Sequence, residues 1–411
     1  MTDEDLITEV RDWLADNWEP VRFQDTHSNG PLIWRQMVHA RGFAVPSWPT
    51  AFGGLGLTPD QSKLVETEFR KVRAPGSGQD RSQIGANLVM QYGTDQARTD
   101  LLEGLITGEF TYCLLYSEPG AGSDLAAVRT RADLADDHYV INGQKVWTSG
   151  AATATFGLLL ARTDWDVPKH AGLSFLVCPM KQEGIEVRPL HQINGDSHFN
   201  EVFMDNVRVP AAYLLSTEGN GWKVMQKALA YERLIMGEGS AERARSKQSQ
   251  DSRVDLVTLA KAHGRLGDAS LRQEIAQAIA WRRLNEYNGQ RAQAAVASGE
   301  ASPLMSLGKL AMSRVLHNDT RIMREILGAQ ALFDDPSFAD AQDMNYRSLH
   351  AYMNSIGGGT DQIQRNIIGE RVLNLPREVE WDRDIPFRES QAVKPSGCSA
   401  TNQMRIARQS G

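Results

Sequence analysis

Hydrophobic and polar positions divide the chain into three textures. From Asp3 to about Gly108 the pattern predicts helices broken by Gly/Pro loops. Thr58-Pro59-Asp60 is a helix-start signal there, after which Leu64, Phe69 and Val72 recur at roughly helical spacing. From about Tyr112 to Pro210 short β-like runs take over, among them 156–161, 173–177 and 201–204. Asn142-Gly143, between Tyr139-Val140-Ile141 and Lys145-Val146-Trp147, predicts a tight hairpin, and Asp205-Asn206 a second turn. Such strands, spaced about 8–12 residues apart, predict a small barrel or sandwich. After Gly219-Asn220-Gly221 amphipathic helical periodicity returns over 222–236, 254–265, 271–297 and 304–327. It appears again from Asp361 until Leu375-Pro376, where proline ends it. The expectation is an α+β chain with an N-terminal α domain over 1–111, a central β domain over 112–215 and a C-terminal helical bundle over 216–378. A polar tail containing Pro386, Pro395 and Gly397 fills 379–411.

Composition narrows the function. The chain has 411 residues and a net charge of -7, which argues against a nucleic-acid surface, because phosphate binding needs clustered Lys and Arg. Cys113, Cys178 and Cys398 are scattered and form no CxxC pair, and the nine histidines are dispersed, so neither a disulfide framework nor a metal site is expected. The start, MTDEDLITEV, lacks a basic, apolar leader, and no stretch approaches the ~18–20 apolar residues of a membrane span. A cytoplasmic protein without a membrane or nucleic-acid partner is the expectation.

Four segments can carry chemistry. Ser117-Glu118-Pro119-Gly120-Ala121-Gly122-Ser123-Asp124 offers close backbone approach, successive N–H groups and hydroxyls that can cradle a phosphate or pyrophosphate; alone, it is equally a loop. Trp147-Thr148-Ser149-Gly150 sets a ring and two hydroxyls at a strand end, suited to a planar cofactor or to a core tryptophan followed by a turn. On the helix over 222–236, Met225, Ala228, Leu229, Glu232 and Ile235 or Met236 follow i, i+3, i+4, i+7, so a carboxylate falls on the apolar stripe. Burial there raises a carboxyl toward neutrality, as a general base requires; a Glu–Arg pair with Arg233 or Arg282 explains the same pattern. Gly357-Gly358-Gly359-Thr360-Asp361-Gln362 is a close-approach turn at a helix start, for a ligand or as a plain helix entry.

In this order and spacing the segments resemble the acyl-CoA dehydrogenase family, from about Phe52 to Pro376. The landmarks are Phe52-Gly53-Gly54-Leu55-Gly56-Leu57, YSEPGAGSD from Tyr116, INGQKVWTSG from Ile141 and GGTDQIQRNIIGERVLNLP from Gly358. The resemblance implies FAD, transfer of an acyl-CoA α proton to a glutamate and of the β hydride to flavin N5, and a trans-2-enoyl-CoA product. It implies that Leu114 through Ser123, including Tyr116, Ser117 and Gly122, line the flavin and its pyrophosphate, with Ser123 also on the acyl-CoA. Trp147, Thr148 and Ser149 would lie beside the isoalloxazine, and Thr360 and Gln362 would be later flavin contacts. Arg233 and Gly359 would contact substrate, and the Gly358 N–H, with a flavin ribityl hydroxyl, would polarise the thioester carbonyl. Family members place the base either in the loop before Gly-Thr or on the bundle helix. The loop position here is Gly358, so Glu232 is identified as the base, and the space freed near the reacting carbons favours branched or ring-bearing acyl groups such as steroid side chains. The implied acceptor is an electron-transferring flavoprotein.

Two departures stand out. The R-x-x-F-G segment that usually reaches a neighbouring subunit's flavin is absent around 253–272, and the usual Q-x-x-G-G-x-G appears only as Glu325-Ile326-Leu327-Gly328-Ala329-Gln330-Ala331. Both a homo-oligomer, dimer or tetramer, and a hetero-oligomer with a homologous subunit follow as expectations. A non-catalytic subunit of such a complex is the competing reading.

Overall fold

The computed structural model describes residues 2–25, 27–243, 254–297, 304–380 and 382–392, with the side chains of 81, 233–243, 293, 296–297, 304–305 and 391–392 outside the description. Helices α1 (Asp3–Asn17), α2 (Pro20–Phe23), α3 (Gly30–Ala40), α4 (Pro59–Lys71), α5 (Gln79–Ser82), α6 (Ile84–Tyr92) and α7 (Asp95–Thr107) come first. The predicted start of α4 is a capping box: Thr58 accepts from Gln61 N, and the Gln61 side chain returns to the Thr58 backbone.

Strands β1 (Tyr112–Leu115), β2 (Arg131–Ala135), β3 (His138–Ser149), β4 (Phe156–Arg162), β5 (Leu173–Pro179), β6 (Ile185–Leu190), β7 (Phe199–Pro210) and β8 (Leu214–Leu215) form one sheet ordered β6-β7-β3-β2-β4-β5-β8, with β1 parallel beside β4. β4 is buried on both faces. Its Leu158 and Leu160 pack toward the helices with Phe175, Val224 and Ala228, whereas Leu159 and Ala161 join Cys113, Ile141, Leu176 and Val202 in the sheet's own core. The sheet thus curls around one core and offers its other face to helices.

The expected Asn142-Gly143 and Asp205-Asn206 turns are not turns. Ile141 pairs with Val207 and Gly143 with Met204, so the two sites face each other across a bulge inside the long β3–β7 ladder. Asn142 Oδ1 accepts from Asn206 N at 2.9 Å, and Asn206 has φ 53°. Asn, Asp and Gly suit bulges as well as turns. Glycine is needed at 143 for proximity, because a Cβ would lie 2.5 Å from Thr130 Oγ1 and 2.8 Å from Thr130 Cα. The β2–β3 connection turns instead at Asp136, with φ 54°.

The C-terminal helices are α8 (Gly221–Arg243), α9 (Leu256–Ala262), α10 (Ala269–Ala297), α11 (Leu304–Leu327), α12 (Ala339–Ile356) and α13 (Asp361–Arg371). α11 spans the range its periodicity predicts. α12 was not expected from the pattern: only Ala341, Met344 and Ala351 of its side chains are buried, two of them alanines, so its apolar stripe is faint. The tail expectation also changes. Residues Phe387–Ala392 form helix α14, and Phe387 is 1% exposed; residues 393–411 lie outside the description. Among the described residues no helix is long and apolar enough to cross a membrane.

Candidate active site

The loop after β1 and the end of β3 lie side by side. Val146 N donates to Ser117 O at 3.0 Å, and Lys145 Nζ donates to Tyr116 O at 3.0 Å, Glu118 Oε1 at 2.8 Å and Leu160 O at 2.7 Å. Glu118 also accepts from Arg129 N at 2.6 Å and Thr130 N at 2.8 Å. Burial pushes the Glu118 carboxyl up, but Lys145 and these donors outweigh it and hold it below its ordinary value. Burial lowers Lys145 against the pull of Glu118; the proton stays on Lys145, whose three partners are all acceptors. The pair ties the two predicted segments into one unit.

Around the buried pair the unit presents a ring, hydroxyls and open backbone. Trp147 has φ 62°, an uncommon conformation for a bulky residue, and its indole is 59% exposed, edge-on to Phe199 at 5.9 Å. Thr148 is buried and its Oγ1 has no hydrogen-bond partner among the described residues, while Ser149 is exposed. Ser117 and Leu114 are half-buried, and Gly122 and Ser123 are exposed. A Cβ at Gly120, Gly122 or Gly150 would meet nothing within 4 Å, which leaves room for a ligand against the backbone.

Helix α8 crosses behind this unit. A Cβ at Gly221 would come within 2.5 Å of the Ser174 backbone, so glycine lets the helix begin against β5. Val224, Met225 and Ala228 continue the buried stripe, and Glu232, about 16 Å further along the helix than Gly221, is half-buried. Burial raises the Tyr116 phenol well above its ordinary value, and the Glu232 charge adds to this. Burial likewise raises Tyr112, with Glu232 contributing. The Glu232 charge is thus felt by Tyr112, at the start of β1, and by Tyr116, just after it. Arg282 is not the counter-ion anticipated for a buried pair: it bonds Asp319 at 2.7 Å and Val254 O at 3.0 Å. The side chain of Arg233 lies outside the described residues.

The glycine turn stands apart. Gly358 and Gly359 have φ 64° and 86°, and Thr360 caps α13 by accepting from Ile363 N at 3.2 Å. Gln364 Nε2 closes the turn on Gly358 O at 3.2 Å, and Gln362 is exposed. Among the described residues no hydrogen bond joins this turn to the sheet; Asp361 instead anchors it to α11 through Ser313 at 2.8 Å and Lys309 at 3.5 Å. Lys145, Tyr112 and Lys169 escaped the sequence reading. An alternating strand gives no sign that an inward lysine has found a glutamate, although a lysine at a buried strand position was the available cue. Burial pushes the Cys113 and Cys178 thiols to about 12, which removes them as nucleophiles. No group of three or more His, Cys, Asp or Glu among the described residues is placed to hold a metal.

Matches to family models cover the chain in three parts. The acyl-CoA dehydrogenase N-terminal domain matches residues 2–109, the middle domain 113–207 and the C-terminal domain 219–373. Acyl-CoA dehydrogenase IpdE1 of Mycolicibacterium smegmatis is 34% identical over 400 residues, spanning 92% of this chain and 99% of that one. Among solved structures, the Tcur3481-Tcur3483 steroid ACAD superposes with a TM-score of 0.68 at 25% identity, covering 92% of this chain and 98% of that one. The ChsE4-ChsE5 complex from Mycobacterium tuberculosis gives 0.62 at 27% identity, covering 92% and 98%.

Proposed function

The chain belongs to the acyl-CoA dehydrogenase family of oxidoreductases, and from that premise we propose that it is a catalytic, FAD-dependent dehydrogenase whose base is Glu232. The observation that carries this reading is a carboxylate at the end of the α8 stripe, electrostatically coupled to Tyr112 and Tyr116 at the entry to the SEPGAGSD loop. FAD is the family's cofactor, and the residues fit it. The partnerless Thr148 hydroxyl, the presented Trp147 ring and the open backbone at Gly120, Gly122 and Gly150 suit a planar, hydrogen-bonding group with a pyrophosphate. Leu114, Tyr116, Ser117, Ser149, Thr360 and Gln362 complete the proposed contacts. Bound there, FAD supplies the hydride acceptor for α,β-dehydrogenation.

The chain's own residues do the rest. Glu232 takes the α proton of the acyl thioester, and the Gly358 N–H donates to the thioester carbonyl, stabilising negative charge that develops as the proton leaves. Ser123, Arg233 and Gly359 hold the acyl-CoA. The product is a trans-2-enoyl-CoA. A Cβ at Gly358 would meet nothing within 4 Å, which supports room for a branched or ring-bearing acyl group, and the likeness to a steroid ACAD supports the steroid side-chain class. The proposed acceptor is an electron-transferring flavoprotein. An anaerobic acyl-CoA panel tests the reading: ring-bearing thioesters should bleach the flavin, and a yellow protein that none of them bleaches would favour the non-catalytic subunit.

A partner completes the cofactor site in this proposal. The arginines that could replace the absent R-x-x-F-G segment are engaged within the chain: Arg265 with Glu325 O and Asp268, Arg272 with Leu266 O, Arg282 with Asp319 and Arg283 with Glu286. Arg253 lies outside the described residues. Losing one charge-assisted donor to the pyrophosphate is worth about 1.5–3 kcal/mol, roughly ten- to a hundred-fold in affinity. Expressed alone, the chain should hold substoichiometric flavin, restored by co-expression with a homologous subunit; full occupancy in a homo-oligomer would reject the partner.

A further inference from the structure

The segment after the bundle returns to the sheet and docks there. Phe387 N donates to Val167 O and Arg388 N to Trp165 O, each at 2.9 Å, and Pro386 forms a β-bridge with Pro168. The Phe387 ring lies 3.6 Å from the buried Arg162 guanidinium and 5.6 Å from Trp165, while Arg388 forks onto Asp166 at 2.8 and 3.1 Å. Arg162 in turn donates to Val128 O, Ala126 O and Lys169 O at 3.1, 2.7 and 3.1 Å. The segment is thus a strap seated on the connection between β4 and β5, and Arg162 beneath it also holds Ala126 and Val128, just after the SEPGAGSD loop.

Lys169 makes the connection to that loop. Its ammonium lies 3.2 Å from Asp124, 3.6 Å from Asp382 and 3.7 Å from Glu380, so one cation links the last residue of the loop to two carboxylates of the strap. Asp124 follows Ser123 directly; Glu118 and Ala121 exchange backbone hydrogen bonds at the start of the turn, but beyond Ala121 Gly122 adds no side chain to hold its far end. Burial lowers Lys169, but the three carboxylates outweigh it and raise it, so it stays charged. Next to it, His170 packs edge-on to Trp222 at 4.8 Å, in the first turn of α8.

We propose that Glu380 and residues 382–392 are part of the active-site frame, clamping the Gly120–Asp124 turn through Lys169, which makes Lys169 a positioning residue for acyl-CoA binding. The proposal rests on the reading that Ser123 touches the acyl-CoA. The strap acts at a distance: it restricts the turn before substrate arrives, so less ordering accompanies binding. Lys169→Met keeps the buried stem and removes the charge; Phe387→Ala undocks the strap without touching the turn.

The test uses the full chain in its flavin-loaded oligomer, with hydrogen exchange of the 120–124 amides and calorimetric binding of coenzyme A, whose affinity does not depend on the acyl group. Both variants should speed exchange at the turn by about tenfold and weaken coenzyme A by a similar factor, with flavin content unchanged, and Lys169→Arg should restore both. Should Phe387→Ala fail to fold, Arg388→Ala, which cuts only the exposed fork to Asp166, should shift both readouts the same way by less. Unchanged exchange overturns the clamp. Faster exchange with unchanged coenzyme A affinity overturns the positioning role and puts the error in the assignment of Ser123.

Discussion

Lys145→Met removes the cation that holds together the two segments proposed to bind the flavin. The Lys145 side chain is fully buried and donates three hydrogen bonds, at 2.7, 2.8 and 3.0 Å, to Leu160 O, Glu118 and Tyr116 O. Methionine keeps much of the volume and none of the charge. Glu118 would be left buried with only two backbone donors, and breaking a buried pair from one side costs about 3–5 kcal/mol. The two carbonyls lose a charged donor at the same time, which places the expectation at the upper end of that range. Because the tether also spaces Ser117 beside Trp147, flavin content should fall with stability. Chemical denaturation followed by circular dichroism, with flavin absorbance per protein, measures both. The double variant Lys145→Met/Glu118→Gln should recover at least about 1 kcal/mol, since no charge is then stranded. A single variant within about 1 kcal/mol of the parent, or a double variant no better than the single, would refute the reasoning.

Two further outcomes follow from the same unit. Thr148→Val should leave the stability of the flavin-free chain unchanged or slightly raised, because the buried hydroxyl it replaces has no partner among the described residues, yet weaken FAD by about two- to tenfold in a flavin titration; loss of stability without loss of FAD would make the hydroxyl structural. Glu118, held below its ordinary value of 4.5, contributes stability that is fully present above that value and lost as pH falls through its folded value. The denaturation midpoint should therefore drop below about pH 4.5, and Glu118→Gln, though less stable at neutral pH, should lose less over that interval; equal acid sensitivity in both would discount the pair.

Much of the fold was legible because it rests on local signals. The Thr58 box, the Thr360 cap and the strong stripe of α11 mark their elements without help from the rest of the chain. The failures are tertiary. Asn142-Gly143 and Asp205-Asn206 carry turn residues, but only their juxtaposition in the β3–β7 ladder makes them a bulge. α12 buries small side chains and so hides its stripe, and the strap's few apolar residues show no helical or strand period, the burial of Phe387 depending on Arg162 more than two hundred residues earlier. At the site, sequence named the two segments proposed to hold the flavin and the proposed base Glu232, but the carboxylate is half-buried at the end of its stripe, and the lysine binding the segments together lies on a strand whose pattern shows only alternation.

The central claim is that Glu232 accepts the α proton, and Glu232→Gln tests it most directly, since it preserves volume and removes the acceptor. Stopped-flow bleaching of the flavin-loaded enzyme by an acyl-CoA that the parent oxidises should slow by at least about 10²–10⁴-fold, with flavin content and denaturation midpoint unchanged. Bleaching within about threefold of the parent rate would contradict the account and place the base elsewhere.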